Sequence, residues 1–228
     1  MHIERLDFEN SPYLGVYGLA TDRVVLVREG LNESRLGILR DVLKVPIIET
    51  SVMKSRIVGI FAAGNSNAIL VPWYVWDSEL EYITGQLREF GIDMTVEPFK
   101  SSLTALGNLI LSNDKAALVS AKFTREEARR IEDVLGVEVE RGMIGDYHAV
   151  GSAGVVTNRG GLVHPEVTDE ELEWLRDILK VDVYVGTANM GVPFVGSCML
   201  ANSHGVVVGG ATTGPEIVKI EEALGFLD

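Results

Sequence analysis

Five times along the chain a glycine opens a 13-residue segment that closes on two aliphatic residues. Aligned on Gly15, Gly59, Gly107, Gly151 and Gly196, the segments read GVYGLATDRVVLV, GIFAAGNSNAILV, GNLILSNDKAALV, GSAGVVTNRGGLV and GSCMLANSHGVVV, without a gap. The glycines are spaced 44, 48, 44 and 45 residues apart, within the range of repeat architectures, in which each unit buries its apolar face against the next. Every copy carries Thr or Asn six places after the glycine: Thr21, Asn65, Asn113, Thr157 and Asn202. An apolar run, a small polar turn and a second apolar run read as a hairpin.

A helix-capping residue follows each hairpin at a nearly fixed distance: Asn32, Asp77, Thr124, Thr168 and Thr213. Thr124 with Glu127, Thr168 with Glu171 and Thr213 with Glu216 have capping-box spacing. Helical periodicity comes next, clearest in TDEELEWLRDILK, where Leu172, Leu175, Ile178 and Leu179 share a face. A further strand such as VPIIE, MTVEPF, VEVER or VDVYV ends the unit. The expected unit is therefore strand, strand, helix, strand, with units at about 15–58, 59–106, 107–150, 151–195 and 196–228. The fifth lacks a closing strand, and IERLDF near the N-terminus can supply it. The fold expected is a single α/β domain over 1–228, a closed five-bladed propeller with five-fold pseudosymmetry in which residues 1–14 complete the last unit. Closure leaves no ragged sheet edge.

Strand alternation from each glycine predicts two faces. Tyr17, Phe61, Leu109, Ala153 and Cys198, then Leu19, Ala63, Leu111, Val155 and Leu200, are expected to pack outward under the helices. Val16, Ile60, Asn108, Ser152 and Ser197, then Gly18, Ala62, Ile110, Gly154 and Met199, are expected around a central axis, where glycine allows close backbone approach.

Chemistry is scarce. The formal charge of −13 argues against wrapping nucleic acid, so no DNA partner is expected, although a basic protein or a small local contact with nucleic acid fits. No run approaches the roughly 20 apolar residues of a membrane span. MHIERLDFENS has no apolar signal region, and a lone Cys198 rules out a disulfide framework, so a cytoplasmic location is expected. No two histidines have metal-ligand spacing, so neither metal nor cofactor is expected. GGATTGPE lacks the lysine of a phosphate-binding loop. His164, His148 and His204 read as structural or solvated residues. Trp73, Tyr74 and Trp76, in VPWYVWD, read either as an interaction patch or as packing beneath the second unit's extra residue.

A closed ring of such units resembles the pentein fold, some members of which modify guanidino groups through a nucleophilic cysteine. Cys198 shares its register with Phe61 and Leu109 and reads as a core residue instead, so no catalytic residue is expected. The motifs SSLTALGN, NLILSNDKAALV, GGLVHPEVT and VYVGTANMG, with FENSPYLG and GNSNAILVP, resemble the translation initiation factor six family over essentially the whole chain. The chain ends soon after the fifth unit, as in the archaeal form. The resemblance implies a non-enzymatic factor that binds the intersubunit face of the large ribosomal subunit, through ribosomal proteins near the sarcin–ricin loop with limited rRNA contact. It also implies that the factor blocks small-subunit joining and takes part in large-subunit maturation. A closed ring needs no partner to complete its sheets, so a monomer is expected. Arg56 in KSRIVG, Asn108 in ALGN and Asn189 in GTANMG match family motifs and are the contact residues implied. The alternatives are a guanidino-modifying enzyme using Cys198 and a small-ligand binder using the axis.

Overall fold

The computed structural model describes residues 2–227. It contains five three-stranded sheets, each an antiparallel hairpin whose second strand also pairs in parallel with a third strand beyond a helix. The helices are Glu33–Leu43, Asp77–Glu89, Arg125–Leu135, Asp169–Leu179 and Gly214–Ala223. The third strands are Ile47–Thr50, Thr95–Phe99, Glu138–Gly142 and Val183–Val185, while Ile3–Leu6 serves the fifth sheet. That N-terminal strand runs parallel to Gly205–Gly209, with Ile3 opposite Val206 and Leu6 opposite Gly209.

The glycines do not open strands. A single helical turn precedes each hairpin, at Leu14–Val16, Val58–Phe61, Leu106–Leu109, Val150–Ala153 and Val195–Ser197. Asn108 therefore sits in a turn. Gly18, Ala62, Ile110, Gly154 and Met199 line the axis as expected, but the second row expected to pack outward is corrected in part, because residues three apart share a face of a helical turn. Ile60 and Ala63, Asn108 and Leu111, Ser152 and Val155, and Ser197 and Leu200 all line one axial cavity of about 100 Å³. The same Ala63, Leu111, Val155 and Leu200 reach into the core shared with the following unit. Tyr17, Phe61, Leu109, Ala153 and Cys198 pack outward as expected.

Glycine is required at these turns by contact. A β-carbon on Gly59 would overlap the carbonyl oxygen of Gly15, one on Gly107 that of Gly59, and so on through Gly151 and Gly196. One on Gly15 would meet the carbonyl of Gly196.

Each helix lies between two sheets. Leu36, Leu39, Val42 and Leu43 pack on Val25 and Val27 of their own unit and in one cluster with Leu200 and Val207 of the fifth. Ile83 and Leu87 likewise join Ile69 and Val71 to Leu26 and Ile48 of the first. Burial on both faces explains why the second strands are nearly continuous aliphatic runs rather than alternating ones.

The recurrent Asn has a matching role. Asn65 Nδ2 donates to the carbonyls of Asn113 (3.2 Å) and Leu135 (3.0 Å), and Asn113 Nδ2 to those of Thr157 (3.1 Å) and Leu179 (3.0 Å). Asn202 Nδ2 donates to Thr21 (3.0 Å) and Leu43 (2.8 Å). Each amide thereby satisfies a carbonyl at the C-terminal end of the next unit's helix, where intrahelical donors run out.

Candidate functional site

The chain path gives the molecule two unlike ends. At one lie the hairpin turns and the helix C-termini. At the other, third strands turn back into the glycine turns beside the helix N-termini. Four tight reversals stand there, closed by bridges Phe8–Ser11, Val52–Ser55, Ile144–Tyr147 and Ala188–Val192. Several of their residues are left-handed without being glycine: Glu9, Asn10, Met53, Lys54, Asn189 and Met190 have φ between 51° and 67°. Such residues cost energy and need outside support.

Two capping carboxylates supply it at the second and fourth reversals. Glu79 accepts from Met53 N and Lys54 N, both at 2.8 Å, and from Ser51 Oγ at 2.6 Å. Glu216 accepts from Gly191 N (2.8 Å), Met190 N (3.2 Å), Thr187 Oγ1 (2.8 Å) and Thr213 N (2.7 Å). Burial pushes the Glu216 carboxyl up, but donors from Thr213, Gly191 and Thr187 outweigh it and hold the group at about 2. Glu79 is lowered in the same way against its own desolvation, by Ser51 and the N–H groups of Lys54, Trp76 and Met53. The capping boxes of Thr124 and Thr168 form as expected. Asp77 is a correction: it is the first helical residue, and Trp76 holds the cap position. Nothing in a T-x-x-E pattern announces that its carboxylate also reaches the preceding unit.

All three contact residues expected from the family motifs belong to this end, in different settings. Arg56 is exposed just beyond the Val52–Ser55 reversal. It adds to the field at Glu9, whose carboxyl is held low first by its hydrogen bond from Arg28 (2.8 Å). Asn108 faces the axial cavity and its Oδ1 accepts from Ser152 Oγ at 3.0 Å. Asn189 is only 7% exposed. Its Nδ2 donates to Pro12 O (2.8 Å) and its Oδ1 accepts from Thr212 Oγ1 (3.1 Å), so it braces a reversal whose tip, Met190, is 76% exposed.

The large apolar side chains exposed at this end are Tyr13, Trp73, Tyr74, Trp76, Met143 and Met190. The 73–76 loop is a surface feature rather than inward packing: Trp73 and Trp76 are each 52% exposed. Lys54 Nζ stands 3.8 Å above the Trp76 ring, which ties this loop to the reversal before Arg56.

Cys198 has no nucleophile's setting. It is fully buried, its Sγ donates to Phe194 O at 3.5 Å, and burial pushes its thiol up to about 11. His164 is buried against Tyr147 and Phe194, with Nδ1 accepting from Glu166 N. Among the described residues no three His, Cys, Asp or Glu side chains gather as metal ligands, and no helix is long and apolar enough to cross a membrane.

The pattern of the eIF-6 family matches residues 3–223. The chain belongs to the eIF-6 family. "Translation initiation factor 6" of Thermococcus onnurineus is 82% identical over 228 residues, covering 100% of each chain, and that of Pyrococcus horikoshii is 75% identical over 227. The Methanocaldococcus jannaschii protein of the same name is 44% identical over 226 residues, or 99% of each chain. The eIF-6 family consists of translation initiation factors, not enzymes, in keeping with the inert surroundings of Cys198. An agmatine deiminase from C. jejuni superposes over 52% of this chain and 45% of its own, at TM-score 0.34 and 16% identity, a likeness too slight to bear on fold or chemistry.

Proposed function

We propose that this eIF-6 family chain binds the large ribosomal subunit and prevents the small subunit from joining it, with a part in large-subunit maturation in the cytoplasm. On this reading residues 1–228 are one domain, a closed five-bladed propeller of the pentein type, acting as a monomer. The cyclic contacts of the five glycines and the N-terminal strand in the fifth sheet support closure.

One observation carries the docking reading. Arg56, Asn108 and the exposed aromatic residues gather at the end that also carries the braced reversals, and that surface needs no catalytic group. Trp, Tyr and Arg are the side chains that dominate interface energetics. Residues 15–58 hold seven basic and five acidic side chains in a chain of net charge −13, so Arg56 projects from a locally positive unit. Arg56 and Asn108 make direct contact with ribosomal protein or limited rRNA, and Asn189 acts through the loop it braces.

The test is sedimentation of the protein with isolated large and small subunits. Co-migration with the large subunit alone, and fewer joined ribosomes as protein is added, is expected. Arg56→Glu is expected to weaken binding at least tenfold with thermal stability unchanged. Protein left at the top of the gradient at low salt overturns the reading.

A further inference from the structure

Unit three carries a groove of about 550 Å³ between helix Arg125–Leu135 and the edge strand Glu138–Gly142. Arg125, Arg129 and Glu132 line it from the helix, and Glu140 and Arg141 from the strand. Three features of these side chains are unexplained by the fold.

First, among the described residues none of the three arginines has a carboxylate within ion-pair distance, although Glu132 lies one turn from Arg129. Glu132 is otherwise engaged, its Oε2 accepting from Val139 N at 3.2 Å. Second, Arg125 occupies the first position of its helix, beside Glu126 and Glu127 of the same turn, where the helix dipole itself disfavours a cation. Third, Arg141 is anchored by donation from Nη2 to Ala121 O at 2.8 Å, and among the described residues its guanidinium makes no other hydrogen bond. The neighbouring Arg130 shows the contrast: it stacks on Phe99 and donates to Lys100 O.

We infer that this groove binds phosphodiester groups of a single RNA strand. Guanidinium is suited to phosphate by its planar array of donors. Arg125 and Arg129 stand one helical turn apart on the same face, about 6 Å between β-carbons, so the charges are strung along an open groove rather than converging on one enclosed ion. That arrangement fits successive phosphates of a chain. Glu140 and Glu132 oppose them, which makes the groove an auxiliary contact, strongly dependent on salt. It opens at Arg125 and Arg141 onto the end of the molecule already assigned to docking, and in that respect the inference rests on the ribosome-binding reading.

The test uses the full chain and a fluorescently labelled 12-residue oligouridylate, followed by anisotropy across a salt series. Arg125→Ala/Arg129→Ala is expected to weaken binding at least tenfold at low salt. It should also flatten the slope of log K against log salt by about 1.4, two phosphate contacts at about 0.7 each for a single strand. Unchanged circular dichroism and melting temperature establish that the variant is folded. Equal binding by wild type and variant overturns the proposal. So does complete displacement of the oligonucleotide by low-millimolar inorganic phosphate, which would make the groove a free-phosphate site. Sedimentation separates this from the parent reading. If wild type co-migrates with large subunits and the variant does so equally as salt is raised, the groove proposal alone falls. If wild type fails to co-migrate but oligonucleotide binding still depends on the arginines, the groove stands and the docking reading falls.

Discussion

Glu216 shows how one carboxylate can hold both a helix start and a loop that belongs to another unit. Its folded-state acidity, about 2, lies below that of an unfolded glutamate near 4.5. A depressed carboxyl contributes stability above the unfolded value and loses it as pH falls through the folded one. The contribution of Glu216 is thus full at neutral pH and fades between about pH 4.5 and 2. Glu216→Gln is expected to cost about 1–3 kcal/mol at pH 7, toward the lower figure because the group is partly solvated. Thermal melts should show the gap from wild type closing as pH drops through that window. At Cys198 the expected result is inertness: iodoacetamide at pH 8 should leave the native thiol unmodified and label it only after denaturation, because a buried group held near 11 offers almost no thiolate. Rapid labelling of native protein would contradict the buried placement.

Three of the five helices, those ending at Leu43, Leu135 and Leu179, depend on an amide from the unit before them. Asn113 is 5% exposed and makes four hydrogen bonds: Nδ2 donates to Thr157 O and Leu179 O, and Oδ1 accepts from Lys115 N and Ala116 N. Asn113→Ala should lower stability by about 2–3 kcal/mol, because buried carbonyls lose their donor. Hydrogen exchange should show faster opening near Leu179 than near Leu43, which keeps its donor Asn202. The glycine turns are less forgiving. Gly107→Ala would place a β-carbon against the Gly59 and Ala62 carbonyl oxygens, and overpacking against backbone has no side chain to yield. A loss at the upper end of the overpacking range, about 3 kcal/mol or more, should appear in denaturant melts.

For the molecule as a whole, the N-terminal strand decides whether the fifth sheet has a third member. Removing residues 1–7 deletes the partner of Gly205–Gly209 and leaves an aliphatic strand, Val206–Val207–Val208, unpaired along one edge. Exposed edges of this kind template association. The truncated chain should melt at least several degrees lower and elute partly as dimers or larger species on size exclusion. A monomer of undiminished stability would mean that the strand is dispensable. The two ends should also respond differently to substitution. Changes at Arg56 or Asn108 should alter ribosome binding with little effect on melting, whereas Asn65 or Asn113 at the hairpin end should do the reverse.

The repeat, the order of strands and helix, the N-terminal strand's place in the fifth sheet and the burial of Cys198 were all legible in one dimension. They depend on local periodicity and on the spacing of capping residues and glycines, which are properties of adjacent residues. The helical turn at each glycine was not. Four residues are too few to distinguish a period of 3.6 from a period of 2, and only the contact of one glycine with the next unit's backbone selects the turn. With that turn the axial face widened, bringing Leu111 and Leu200 beside Asn108 and Ser197 while Ile110 and Met199 stay on it as expected. Family motifs pointed to Asn189, but its inward side chain became visible only once residues 177 apart in sequence, Asn189 and Pro12, came within hydrogen-bond distance. The same holds for Glu216 beneath the 190–191 backbone, for the exposure of Trp73 and Trp76, and for Arg141 beside Arg125. Which side chains a repeat brings together at its ends depends on the rotation between units, and that rotation is set by packing between neighbouring units.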